Sequence, residues 1–327
     1  MYSSVRVLSF LLPLICWHSS NADPLRRDDA DWLKTMAFAA HQTDYSGTFV
    51  YQDGVGGHVA VSRITHISDA DGEHERLEGL NGARREIISS HNQVWLYTGD
   101  RKVRIEKRHG GRTFPALLPQ QISALKENYQ ISMAEEDRVA GFHVHAVVFQ
   151  PKDNLRYTHK MWAHNESGLL LKAVVLDERA RVIEQYAFTQ LTLGAKVDRT
   201  WIEPDQAAPS TNKNVITPVA NAATEAKATD WQVDAMPVGF KRIIEVCRPM
   251  RDKTKPVTHL VFSDGLAGIS VFIEDVAGRE DLNTGLSSQG AIQIYSRVSG
   301  DKLITVVGEV PPRTVMQVAE SVRYAGQ

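Results

Sequence analysis

His143 and His145 are the first side chains in this chain whose spacing chemistry can use. On a strand, residues i and i+2 share a face, so the two imidazoles stand at about the separation needed to share a metal ion. No third ligand lies nearby in sequence, and histidine on a solvated strand face is the commoner outcome. His74 and Glu75 adjoin within a polar, charge-dense segment and read as surface rather than as an acid–base pair. Gly54-Val55-Gly56-Gly57 resembles a phosphate loop only superficially, because it lacks the strand-then-helix context that aims helical amides at a phosphate. A hairpin loop is the better reading. No Gly-x-Ser-x-Gly elbow, Walker loop, His-Glu-x-x-His or Cys-x-x-Cys pair occurs. These residues therefore name no catalytic group, no metal and no cofactor.

Two other features suit binding. Arg101, Lys102, Arg104, Lys107, Arg108 and Arg112 form a basic cluster beside Gly110-Gly111. Such a cluster can meet lipid phosphates or an acidic partner through charge-assisted hydrogen bonds. It can equally be an edge strand whose charges guard it against aggregation. The next segment, Phe114-Pro115-Ala116-Leu117-Leu118-Pro119, is apolar and bracketed by prolines. It reads as a core plug or as a lid over an apolar groove, and Phe114, Leu117, Leu118 and Trp162 are the candidate apolar contacts.

The elements that position these residues begin after residue 22. Arg6, the apolar run from Val7 to Trp17 and the small residues of Ser20-Asn21-Ala22 make an export signal. The run is shorter than the ~20 residues a spanning helix needs. The expected mature chain starts at Asp23 in an oxidising compartment with one cysteine, Cys247, and so no intramolecular disulfide. A formal net charge of −2 creates no field that favours nucleic acid.

Asp28 to Gln42 carries apolar residues at helical spacing. From Tyr45 the pattern becomes short β-branched and aromatic segments separated by tight turns, which predicts one large antiparallel sheet over residues 23–203 with few helices. Residues 204–228 are mostly Ala, Pro, Asn and Thr, and read as a linker. Residues 229–327 read as a smaller antiparallel sheet. Pro311-Pro312 opens its one helix, with Val315, Val318, Ala319 and Val322 on one face. The fold class is mainly β (α+β).

The order of several motifs is familiar. Leu80-Asn81-Gly82-Ala83-Arg84-Arg85-Glu86-Ile87-Ile88 is followed by Met161-Trp162, Ser167-Gly168-Leu169-Leu170, Val175-Leu176-Asp177 and Glu184-Gln185-Tyr186. Phe262-Ser263-Asp264-Gly265-Leu266 and Val307-Gly308-Glu309-Val310-Pro311-Pro312 close the series. The whole resembles the RseB/MucB family of periplasmic regulators of the envelope-stress sigma factor, and its C-terminal part looks closer to the MucB branch. That resemblance implies an N-terminal unclosed half-barrel similar to LolA and LolB, with helices across its mouth. It also implies a small C-terminal sheet with a helix.

The implied partner is the periplasmic domain of a membrane anti-sigma factor (RseA- or MucA-like), shielded from site-1 cleavage and released by lipopolysaccharide or mislocalised lipoprotein. The resemblance requires no catalytic residue and leaves a homo-oligomer open. The rival reading is a periplasmic lipid or lipoprotein carrier. The linker and second unit favour a regulator, since a simple carrier needs only the first unit.

Overall fold

The expected first helix forms because Leu33, Met36, Ala37 and Ala40 fall on one face, and all four are buried. In the computed structural model it is α1 (Arg27–Gln42). The structure describes residues 27–54, 57–90, 93–99, 101–105, 113–194, 201–202, 215–216, 229–248, 255–276, 278 and 282–326. The expected export signal therefore lies outside the described residues, as does all of the expected linker except 215–216.

Strands follow α1 almost without interruption: β1 (Tyr45–Asp53), β2 (Val59–Asp69), β3 (Gly72–Gly79), β4 (Arg85–Ser90), β5 (Gln93–Thr98) and β6 (Arg101–Ile105). A 3-10 turn (Ile122–Ala124) then runs into the single-turn helix α2 (Leu125–Asn128). After it come β7 (Tyr129–Val139), β8 (Phe142–Pro151), β9 (Thr158–His164), β10 (Leu170–Leu176), β11 (Val182–Leu193) and the two-residue β12 (Val215–Ile216). The sheet order is β12-β6-β5-β4-β3-β2-β1-β11-β10-β9-β8-β7. Its end strands, β12 and β7, do not pair with each other, so the sheet is unclosed. Strands consecutive in the chain and adjacent in the sheet run antiparallel because short connections join them. At the β7–β8 turn, Ala140 and Gly141 both take positive φ, 50° and 89°, as such a two-residue turn requires. Two residues of the expected linker depart from that reading: Val215 and Ile216 lie parallel to β6 at Lys102 and Val103.

The second sheet contains β14 (Lys241–Arg248), β15 (Val257–Ser263), β16 (Gly268–Asp275), β17 (Gly285–Gln289), β18 (Ile292–Ser299) and β19 (Lys302–Gly308). Their order is β14-β15-β16-β19-β18-β17. β13 (Trp231–Val233) precedes it, and α3 (Pro312–Glu320) covers it. α3 buries Val315, Val318 and Ala319 against Leu260, Ile269, Val271, Ile304 and Val306. Val322 is not on that helix as expected. The helix ends at Glu320, and Val322 opens β20 (Val322–Tyr324), which pairs with β13.

A second correction concerns His74. It is a buried residue of β3, with Nδ1 2.8 Å from Ser90 Oγ and Nε2 3.2 Å from Asp69 Oδ1. The charges that suggest surface belong to its neighbours on a strand held between β2 and β4.

Candidate functional site

The faces of the large sheet follow from its register, because directly paired residues point the same way. One row runs Met133, Val147, Met161, Ala173, Tyr186, Tyr51 across six strands. The adjacent row, Ala146, Trp162, Lys172, Ala187, Val50, must face the other side. Phe114 lies on the first face. Its ring stacks on Tyr186 at 5.4 Å and 12°, and meets Phe49 at 5.2 Å and Phe188 at 5.1 Å. Such aromatic pairs add about 0.5–1.5 kcal/mol each beyond the area they bury. Phe114 and Leu118 are core residues, and Leu117 is a partly buried neighbour of the same core. The 114–118 segment thus packs onto the apolar face. Trp162 is buried in the same core, but its row points to the other side of the sheet. Its ring lies on the opposite face between the ammonium groups of Lys172 at 4.4 Å and Lys160 at 5.0 Å.

Of the basic cluster, Arg101, Lys102 and Arg104 lie on β6, while Lys107, Arg108 and Arg112 lie outside the described residues. Arg101 and Arg104 are exposed. Lys102 is half-buried, its ammonium 4.6 Å from the Trp95 ring centre and 5.3 Å from that of Tyr97. β6 is the last long strand at its end of the sheet, so these charges stand at an edge. The histidine pair divides: His143 is exposed, whereas His145 sits between Asn165 Oδ1 at 3.0 Å and Glu136 Oε1 at 2.9 Å. Among the described residues no group of three His, Cys, Asp or Glu side chains is arranged to hold a metal ion.

The residues that sequence reasoning missed lie where the two sheet units meet. Arg156, in the β8–β9 loop, donates from Nε to Asp264 Oδ2 at 2.6 Å, and both side chains are fully buried. Its other nitrogens donate to the Val238 carbonyl and to Asp153. The guanidinium also lies 5.0 Å from the Phe240 ring centre. The Tyr129 hydroxyl donates to Asp264 Oδ2 at 2.9 Å, and the Leu266 and Ala267 amides donate to Oδ1. Burial, then the Asp264 charge, pushes the Tyr129 phenol well above its ordinary range. The approach is close: a Cβ on Gly239 would lie 2.0 Å from Asn128 Nδ2, and Gly239 also has φ of +90°. Thr314 Oγ1 donates to the Leu155 carbonyl, and Arg313 pairs with Glu178.

Ser263-Asp264-Gly265 reads locally as a hairpin, and its Asx turn agrees with that reading. The tertiary role of Asp264 has no local signal. Arg156, in a polar loop, reads as an ordinary solvated cation.

Comparison with known proteins follows both units. The MucB/RseB N-terminal domain model matches residues 28–206, and the MucB/RseB C-terminal domain model matches residues 225–323. The chain is 30% identical over 303 residues to the sigma factor AlgU regulatory protein MucB of Pseudomonas aeruginosa, covering 90% of this chain and 91% of that protein. It is 26% identical to the sigma-E factor regulatory protein RseB of Haemophilus influenzae, over 80% of this chain and 81% of that one. The solved complex of Pseudomonas aeruginosa MucA/MucB is similar at a TM-score of 0.72 and 28% identity, covering 92% of this chain and 100% of that chain. The unclosed sheet, the helix-covered second sheet and both domain matches agree: the chain belongs to the MucB/RseB family.

Proposed function

We propose that this chain is a periplasmic, non-enzymatic regulator that binds the periplasmic domain of a membrane anti-sigma factor. In this reading it shields that domain from site-1 proteolysis and lets go when lipopolysaccharide or mislocalised lipoprotein engages it. One observation carries the reading: the similarity to the MucA/MucB complex runs through both domains and 92% of this chain. The buried junction supports it, because the Arg156–Asp264 pair ties the two sheet units together. Release by lipid requires that the lipid-bound form have the lower affinity for the partner, and the coupling is reciprocal. The aromatic face beneath Phe114 is the natural place for an acyl chain, at about 0.8 kcal/mol per buried methylene. The edge charges Arg101 and Arg104 suit its phosphates.

That same aromatic face also supports the second reading, a lipid or lipoprotein carrier. Cleavage of a purified anti-sigma periplasmic domain by its site-1 protease, with this protein titrated in, separates the two. A regulator slows cleavage stoichiometrically, and added lipid restores it. Unchanged cleavage at saturating protein defeats the regulatory reading and leaves the carrier.

A further inference from the structure

Glu184 sits where the two domains touch, among like charges. On β11 it lies directly across from Asp53 of β1, and carboxylates opposed on neighbouring strands repel. The Tyr51 hydroxyl donates to Glu184 Oε2 at 3.4 Å. From the C-terminal domain the Ala291 amide donates to the same carboxyl group, and the charge of Glu309 bears on it. The turn carrying Ala291 is tightly seated. A Cβ on Gly290 would lie 3.0 Å from Asp53 Cβ and 3.4 Å from the Tyr51 hydroxyl. Ala291 itself is buried with Tyr157, Val175 and Ile183.

The titratable groups facing Glu184 are Tyr51 and Asp53 from β1, Tyr186 from its own strand, and Glu309 from the segment after β19. Among the described residues neither Asp53 nor Glu184 makes an ion pair, and Asp53 Oδ1 is buried without a hydrogen-bond partner.

We propose that this contact is a proton-operated latch: with a proton on Glu184 the 290–291 turn closes on the β1–β11 end of the large sheet, and loss of that proton loosens it. A carboxylate taken out of water among other carboxylates is costly, and its neutral form is not. Burial first, and Glu309 second, push the Glu184 carboxyl from its ordinary 4.5 up to about 7, outweighing the hydrogen bonds from Tyr51 and Ala291, which favour the ionised form. The sign follows from the raised value. The closed form binds the proton more tightly than the open form, so closure begins to strengthen as pH falls through about 7. Such pH values are met outside the cytoplasm. The latch concerns the arrangement of this chain alone and does not rest on the proposed partner.

The test uses the full chain as wild type, Glu184→Gln and Glu309→Gln, between pH 5.5 and 8.5. Thermal unfolding and the solution-scattering radius of gyration are both followed. Wild type is expected to become more compact and gain roughly 3–6 °C in Tm as pH falls. Glu184→Gln should stay compact at every pH, exceed wild type at pH 8.5 and converge with it at pH 5.5. Glu309→Gln, which alters an exposed side chain, should move the wild-type midpoint to lower pH. Should Glu184→Gln not fold, that midpoint carries the test by itself. A wild-type radius independent of pH overturns the proposal, as does Glu184→Gln with the full wild-type response or Glu309→Gln with an unmoved midpoint.

Discussion

Arg156 Nε stands 2.6 Å from Asp264 Oδ2 across 108 residues of chain, and neither side chain has solvent exposure. Burying two charges is expensive, and their attraction offsets that only when the remaining lone pairs and protons are also satisfied. Here Asp264 accepts from Tyr129, Arg156 and two backbone amides. The guanidinium reaches a carbonyl and a second carboxylate. The pair's main consequence is geometric, since this docking of the domains satisfies every group.

Removing either partner should therefore be severe. Arg156→Ala and Asp264→Ala are each expected to cost about 3–5 kcal/mol, by leaving an uncompensated buried charge. The double variant should lose less than the sum, because the second removal relieves what the first exposed. Urea denaturation of the three variants measures this, and additive losses would show that the pair is not coupled.

Phe114 and Trp162 should behave differently, because the register puts them on opposite faces. Phe114→Ala is expected to cost about 3–5 kcal/mol as a core cavity. It should also raise binding of a fluorescent fatty-acyl probe by opening the Phe49–Tyr186–Phe188 surface. Trp162→Ala should leave probe binding unchanged. Equal gains from both substitutions would argue against a one-sided apolar site.

The charges on β6 make a separate prediction. Arg101→Ala combined with Arg104→Ala should weaken binding to vesicles containing anionic lipid and flatten its salt dependence, while the unfolding midpoint stays put. Vesicle affinity that does not change at low salt would return these residues to the role of edge protection.

The buried His74 is testable by stability alone. His74→Ala removes its contacts with Ser90 and Asp69, and should cost about 1–3 kcal/mol by denaturation. A neutral result would mean that β3 leaves this histidine solvated.

Ala140 holds a left-handed conformation, φ 50°, at the β7–β8 turn. Ala140→Gly removes the Cβ penalty and should stabilise the protein by about 0.5–1 kcal/mol, after the entropy cost of a new glycine. Loss of stability would show that the turn relaxes elsewhere when an alanine occupies it.

Features set by neighbours along the chain can be read from residue order alone. The apolar face of α1, the strand alternation from Tyr45 and the hairpin at Asp264-Gly265 were all legible, because each is set within a few residues. Proline opening α3 was legible for the same reason. The class of an antiparallel, mainly β chain follows from them. β3 carries no local strand signal: Gly72–Gly79 holds glutamates and arginine where such a signal needs β-branched residues, and its flanking strands supply the pairing instead.

Tertiary structure alone decided the rest. It put Trp162 on the far face from Phe114, set His74 inside, and brought Glu184 under the 290–291 turn. It also joined Arg156 to Asp264. Each of these depends on register or on contact between segments far apart in sequence. A one-residue change of register reverses a strand's faces, and burial of a charge depends on what covers it, so local residue types cannot encode either.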